Sequence, residues 1–198
     1  MGQPVQQERS AVQISAGLGI DGISSSSLFS YINTLYAQQM SGLISATEFF
    51  IVPEIQITDH WLLGMEYSYL LCSKSNIGNY AGDFTESVHM PMVIAHYFWH
   101  GEGYWMKLGG GAGYNTGTLT QTIIQNGTEL TFTAHGVGMK LDAVMNLAFD
   151  EHLYGVLSGD VRWCSGSNYR TDAMFPSASP PQLSFVTAGL KLGMMYQF

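Results

Sequence analysis

The sequence predicts an all-β chain: an eight-stranded antiparallel up-and-down β-barrel that spans a membrane. Three observations predict it. Charged residues make up only 11% of 198 residues, against about 25% in ordinary soluble domains. No run of about 18 apolar residues is present to cross a membrane as a helix. Eight segments alternate apolar and polar residues with the period of two that gives a strand one greasy face.

The first segment puts Val12, Ile14, Ala16, Leu18 and Ile20 on its apolar face, with Gln13, Ser15, Gly17 and Gly19 behind. The second has Phe49, Ile51, Pro53, Ile55 and Ile57 against Glu54, Gln56 and Thr58, and Thr58-Asp59-His60 turns the chain. The third presents Trp61, Leu63, Met65, Tyr67, Tyr69 and Leu71. The fourth is expected to present Val88, Met90, Met92, Ile94, His96 and Phe98, followed by a turn at His100-Gly101-Glu102-Gly103. The fifth presents Tyr104, Met106, Leu108, Gly110, Ala112 and Tyr114; the sixth Val137, Met139, Leu141, Ala143, Met145, Leu147 and Phe149. After Asp150-Glu151-His152 the seventh presents Leu153, Gly155, Leu157, Gly159, Val161 and Trp163. The eighth carries Val186, Ala188, Leu190, Leu192, Met194, Tyr196 and Phe198, apolar to the last residue.

Three connections are short turns. The other four are long, near residues 21–47, 73–86, 115–131 and 165–182. This asymmetry is that of membrane barrels, and an even strand number puts both chain ends on the short-turn side. Residues 1–198 form one domain with a flexible stretch at 1–9. Met1-Gly2-Gln3-Pro4 has neither the basic start nor the apolar centre of a secretory leader, so Met1 reads as a start that replaces a removed one. Pro53 and Pro91 fall inside strands, where each removes a ladder donor and should mark a bulge or an unpaired spot.

The two faces differ in charge. His96 is the one ionisable residue on the apolar face, whereas the other face carries Glu54, Glu66, Asp142 and Asp160 with Lys107, Lys140, Arg162 and Lys191. A charge facing lipid near the midplane costs about 2–4 kcal/mol, so this stripe belongs inside, as a structural ion-pair network that seals the lumen. Aromatic residues cluster at strand ends as interfacial girdles do: Trp61, Tyr104, Phe149, Phe98 and Phe198 on the turn side, Phe49, Tyr69, Tyr114 and Trp163 on the loop side. A soluble barrel with the apolar face inward is the alternative. It would crowd too many large side chains into a lumen of this size.

The C-terminal strand ending in Phe198, with Tyr196 two residues before it, looks like the closing strand and insertion signal of bacterial outer-membrane barrels. The chain resembles the small eight-stranded members of that class, such as the transmembrane domain of outer-membrane protein A and the X-type barrels. Met90-Pro91-Met92-Val93-Ile94-Ala95-His96-Tyr97-Phe98, then Gly109 to Tyr114, with Pro53-Glu54 and Met65-Glu66-Tyr67, is most similar to the PorT-type family. Ala95 and His96 depart from its Lys and Tyr. The resemblance implies the bacterial outer membrane, long loops outside, both termini periplasmic, and contact with barrel-assembly machinery, outer-membrane lipid and lipopolysaccharide. It carries no catalytic residue.

No cofactor, metal or catalytic set stands out. His60, His100 and His152 sit at turns. His135 shares the outward face with Thr133 and Thr131, but no carboxylate accompanies it as an acyl-transfer base would require. Cys72 and Cys164 are too few for a zinc site, and a bridge between them has little support. A net charge of −8 argues against nucleic acid. Specificity then falls to the loops. The first is either a helix capped by Ser27, with Leu28, Ile32, Leu35 and Tyr36 on one side, or an extension of its strands. Asn126-Gly127 marks a hairpin tip; Phe175-Pro176 and Pro180-Pro181 stiffen the last loop. The expected role is non-enzymatic: loops presented for a protein or glycan, for adhesion or for envelope stability. A narrow solute channel and an outer-leaflet lipid-modifying enzyme are the alternatives.

Overall fold

A computed structural model describes residues 12–36, 44–74, 82–101, 103–123, 128–171 and 180–198. The order is β1 (Val12–Ser24), α1 (Ser26–Tyr36), β2 (Ile44–Gln56), β3 (Trp61–Lys74), β4 (Gly82–His100), β5 (Tyr104–Ile123), β6 (Thr128–Ala148), β7 (Leu153–Asn168) and β8 (Gln182–Gln197). Each strand pairs antiparallel with its neighbours in sequence, and β8 pairs with β1 to close the barrel. The last residues make the seam: Phe198 N donates to the Val12 carbonyl at 3.1 Å, and Gln197 N to that of His152 at 2.9 Å.

Three tight turns gather at one end. Thr58 Oγ1 accepts from Trp61 N at 3.1 Å. Gly103 takes φ of 76°, the left-handed region where glycine costs least. Asp150 Oδ1 accepts from Glu151 N at 2.8 Å. At the other end the strands outrun the sequence-based expectation. β5 and β6 stay paired from Tyr104↔Leu147 to Ile123↔Thr128, so the expected loop at 115–131 is mostly ladder. The other long connections shrink likewise. Residues 1–9, Asn126-Gly127 and Phe175-Pro176 lie outside the described residues.

The first loop holds the helix. Its cap is Ser25 rather than Ser27: Ser25 Oγ accepts from Leu28 N at 3.3 Å and donates to the Ser184 carbonyl at 2.8 Å. Ser27 Oγ instead accepts from Gln182 N at 2.6 Å, tying the helix to β8. The prolines leave gaps without bulges. β2–β3 pairing passes from Ile51↔Tyr67 to Glu54↔Gly64, and β4–β5 from His89↔Thr116 to Met92↔Gly113, in unchanged register.

Strand β4 corrects the sequence reading. Val88, Met90, Met92, Ile94, His96 and Phe98 all point inward and are buried, while His89, Pro91, Val93, Tyr97 and Trp99 are exposed. Both faces of this strand are apolar, so periodicity alone could not choose between them. Register does: Met90 pairs with Ser68 and Met92 with Glu66, both inward on β3. Phe98 therefore leaves the outer girdle, and Tyr97 and Trp99 replace it. His96 leaves the lipid side altogether.

Seven strands keep the faces that the sequence assigns. The outer wall is an apolar belt in which Ile20 is 71% exposed, Leu190 70% and Met139 66%. Thirty-one large apolar side chains are exposed among the described residues. At roughly 1 kcal/mol each for partial burial, leaving them in water would cost tens of kcal/mol, more than the roughly 5–15 kcal/mol that holds a domain folded. On β5 the belt runs from Tyr104 to Tyr114. Ten steps of about 3.3 Å along that strand, tilted about 40°, span about 25 Å, the height of a membrane barrel's apolar band.

Candidate functional site

The interior is stacked in three layers. At the turn end Leu62, Phe98, Trp105, Val144, Val156 and Met195 form an apolar plug. At the loop end a larger apolar cluster includes Ile23, Phe84, Leu119, Phe132, Leu183 and Phe185. Helix α1 caps it by inserting Leu28, Tyr31 and Ile32, with Tyr31 Oη donating to Gln121 Oε1 at 3.3 Å. Between the two lies an ionic layer.

All eight charged residues singled out in the sequence lie inside, buried, and the structure brings them together. Glu54 Oε2 accepts from Lys107 Nζ at 2.6 Å. Glu66 is the hub: Oε2 accepts from Lys140 Nζ, and Oε1 from Arg162 Nη2 at 2.7 Å and Lys191 Nζ at 3.4 Å. Lys140 also pairs with Asp142 at 2.8 Å. Asp160 Oδ2 lies 2.8 Å from Arg162 Nη2 and 2.9 Å from Lys191 Nζ.

Three members were missed. Glu48 Oε1 takes Arg162 Nη2 at 2.6 Å and Lys191 Nζ at 2.9 Å. His96 bridges Glu54 and Asp142, with Nδ1 2.6 Å from Glu54 Oε1 and Nε2 3.0 Å from Asp142 Oδ1. Asp21 is wholly buried and its carboxylate has no hydrogen-bond partner. The signal for Glu48 and Asp21 was parity. Glu48 is six residues from Glu54 on the same side of β2, and Asp21 continues the inward row of β1 past the point where the first loop was expected to start.

Glycines make the room. His96, Gly109 and Asp142 share one rung, as do Asp21, Gly189 and Asp160. A Cβ on Gly109 would strike the His96 ring, and one on Gly189 the Asp21 carboxylate. Each glycine thus lets two charged side chains meet above it.

Charge can be counted. The layer holds six carboxylates (Asp21, Glu48, Glu54, Glu66, Asp142, Asp160) and four bases (Lys107, Lys140, Arg162, Lys191). His96, with a carboxylate at each ring nitrogen, has both nitrogens as donors and is an imidazolium. The carboxyl groups outnumber the cations by one, and Asp21 is the one without a basic partner. Asp21, Glu48 and Asp160 bring ligand oxygens within 4.8 Å of one another, the one set among the described residues with metal-ligand spacing. Arg162 and Lys191 already occupy Glu48 and Asp160, so a divalent ion there would compete with two fixed cations.

Above the belt a separate clasp closes the loop end. Tyr169 Oη donates to Glu86 Oε1 at 2.6 Å. Burial pushes the Glu86 carboxyl up, partly offset by that hydrogen bond, and burial followed by the Glu86 charge pushes the Tyr169 phenol up as well. Tyr169 N donates to the Pro181 carbonyl at 2.8 Å. Cys72 and Cys164 are both buried and free, without a bridge.

The other histidines sit outside this layer. His100 stacks on Trp105 with centroids 5.4 Å apart, and His152 Nδ1 donates to the Gln197 carbonyl at 2.9 Å. His135 is exposed on the outer wall, its Nδ1 3.4 Å from Thr116 Oγ1 and its ring stacked on Tyr114.

No protein-family model matches the sequence, and no curated protein matches it. Solved structures do. Neisserial surface protein A superposes with a TM-score of 0.59 at 13% identity, over 94% of this chain and 97% of that one. A major outer membrane protein from Thermus thermophilus gives 0.54 at 14%, over 95% and 100%. Ail, the attachment invasion locus protein of Yersinia pestis, gives 0.53 at 10%, over 96% and 99%. At such identities the likeness is one of fold. The fold is the closed eight-stranded antiparallel barrel of outer-membrane proteins.

Proposed function

We propose that this chain is a non-enzymatic outer-membrane barrel whose sealed wall anchors a rigid loop-end surface for binding, adhesion or envelope stability. One observation carries the reading: the apolar plug and the helix-capped apolar cluster bracket the ionic layer, whose cavity beside Glu54, His96 and Lys140 is only about 20 Å³, room for a water and not a path. A channel needs a continuous polar path, and the apolar layers interrupt one at both ends. The investment lies instead beyond the belt, where β4, β5 and β6 project about eight residues past the loop-side aromatics. That extension is roughly 20 Å.

In this reading the loop end faces outward and both termini lie in the periplasm, since the short turns and chain ends share one side. Tyr196 and Phe198, exposed at the seam, serve as the signal for barrel-assembly machinery. Membrane lipid and lipopolysaccharide surround the belt, and a protein or glycan meets the loop end. Kinship with the PorT-type barrels rests on the Met90–Phe98 and Gly109–Tyr114 segments. The Yersinia attachment protein uses the same fold, a likeness that supports the architecture and not its partner.

The test pairs two measurements on intact cells and purified protein. Surface proteolysis and antibody access should be confined to tags in the four loop-end connections and absent at the three short turns near 58–60, 101–103 and 150–152, and planar bilayers should show no conductance steps. Steps abolished by Lys107→Ala would favour the channel instead. Loss of surface binding when residues 26–43 are exchanged would identify the presenting segment.

A further inference from the structure

The loop-side edge of the ionic layer holds an acid with no cation. Asp21 on β1, Gly189 on β8 and Asp160 on β7 lie on one rung, and Asp21 also pairs with Ala46 on β2. The Asp21 carboxyl group lies over Gly189, where a Cβ would strike it. Glu48 stands two residues along β2 from Ala46, on the same inward row. Asp21, Glu48 and Asp160 bring oxygens within 4.8 Å of one another.

Their surroundings differ. Glu48 Oε1 takes Arg162 at 2.6 Å and Lys191 at 2.9 Å, and the same two cations flank Asp160. Glu48 Oε2 and both Asp21 oxygens have no hydrogen-bond partner, and both residues are wholly buried. Thr187, one inward position along β8 from Gly189, adds a buried hydroxyl that is likewise unpartnered. The remaining bases are engaged elsewhere: Lys107 by Glu54, His96 by Glu54 and Asp142, and Lys140 by Glu66 and Asp142. Around Arg162, β3 contributes Ser68 and Glu66 and β4 contributes Met90, while α1 carries no acid or base.

Two carboxyl groups buried side by side do not both stay ionised at low cost unless a cation or a proton joins them. With one proton in the layer, five negative charges face five positive ones, His96 included. Arg162 and Lys191 hold Glu48 ionised, so the proton belongs on Asp21, which donates it to the open Glu48 Oε2.

We propose that Asp21 is a buried protonated acid hydrogen-bonded to Glu48, and that this shared proton makes the fastening of the first loop pH-sensitive. Asp21 lies one inward position below Ile23, a member of the cluster that α1 caps, and three residues before β1 ends. When the proton leaves, two adjacent negative charges face each other in a dry layer. Hydration relieves them, and the nearest way in for water is the loop end, past α1. The proton does not depend on the presenting role proposed above; its use in holding the presenting segment does.

Infrared spectra of the full chain in phospholipid vesicles at neutral pH, with isotope-labelled aspartate, test the proton. Wild type should show the carbonyl stretch of a protonated carboxylic acid that shifts with the label, and Asp21→Asn should abolish it. Urea unfolding across pH gives a second readout. The ratio of unfolding constants, wild type over Asp21→Asn, should rise about tenfold per pH unit above about pH 4, the value of an unfolded aspartate, and level off where the folded site gives up its proton. Amide exchange over 26–36, relative to intrinsic rates, should accelerate at that same pH in wild type and not in Asp21→Asn. The proposal is overturned if no labelled acid band appears, if the ratio is independent of pH, or if calcium raises the unfolding midpoint of wild type and not of Asp21→Asn, which would put an ion in place of the proton. Exchange over 26–36 with one pH dependence in both proteins overturns the latch. If Asp21→Asn fails to fold, the labelled band in wild type still decides.

Discussion

Replacing Arg162 with Met removes the central cation of the ionic layer and keeps most of its apolar length. Arg162 Nη2 is 2.6 Å from Glu48, 2.7 Å from Glu66 and 2.8 Å from Asp160. Lys191 remains on Glu48 and Asp160, and Lys140 on Glu66, so no carboxylate is stripped of every partner. The cost is then that of one broken buried pair, about 3–5 kcal/mol, and not three times that. This lowers the folding constant by about two to nearly four powers of ten. Urea unfolding from phospholipid vesicles, followed by tryptophan fluorescence, measures it. The double variant R162M/E48Q removes a charge of each sign and should recover about 1–3 kcal/mol relative to additivity. If R162M lies within about 0.5 kcal/mol of wild type, or if the two changes simply add, the layer is not a coupled network.

Three further outcomes follow from the same geometry. Asp21→Asn removes an acid buried beside Glu48 and Asp160 without a basic partner and should stabilise the barrel by about 1–3 kcal/mol in the same urea assay; destabilisation would mean that Asp21 has a cation partner. Ser25→Ala uncaps α1 and should cost about 1 kcal/mol, seen as faster amide exchange in 26–34 with the strands unchanged. Glu86 is raised by burial, so its contribution to stability is complete below about pH 4.5, its unfolded value, and is lost as pH rises through the folded one. Glu86→Gln, which still accepts from Tyr169, should therefore raise the unfolding midpoint at pH 7.5, and the gain should vanish in acid.

Most of the fold was legible because lipid is an unforgiving solvent. Charges stay off the belt, so on seven strands the apolar row identifies the outward face. Strand β4 escaped because the interior is itself apolar along Val88, Met90, Met92 and Ile94, and a strand greasy on both sides has no polarity to read. Its one informative residue, His96, pointed to the correct answer: an ionisable group in the supposed lipid row belonged with Glu54 and Asp142. The loop boundaries were misplaced for a related reason. Beyond the belt the outward face turns polar, and on β5 the inward row sets Gly117 and Gln121 around a single Leu119, so alternation fades while hydrogen bonding continues through Thr116–Thr122. That fading hid Asp21 and Glu48. The helix start was off by two residues because Ser24 to Ser27 offer four chemically equivalent caps; docking against Ser184 selects Ser25.

Which stripe touches hydrocarbon decides everything else. Bimane attached at Leu141→Cys and Leu190→Cys, and separately at Lys140→Cys, in vesicles containing lipids brominated on their acyl chains, measures it directly. The outward pair should be strongly quenched and Lys140→Cys nearly untouched. Quenching at position 140 that equals or exceeds that at 141 and 190 would put the charged stripe on the lipid side and contradict the account.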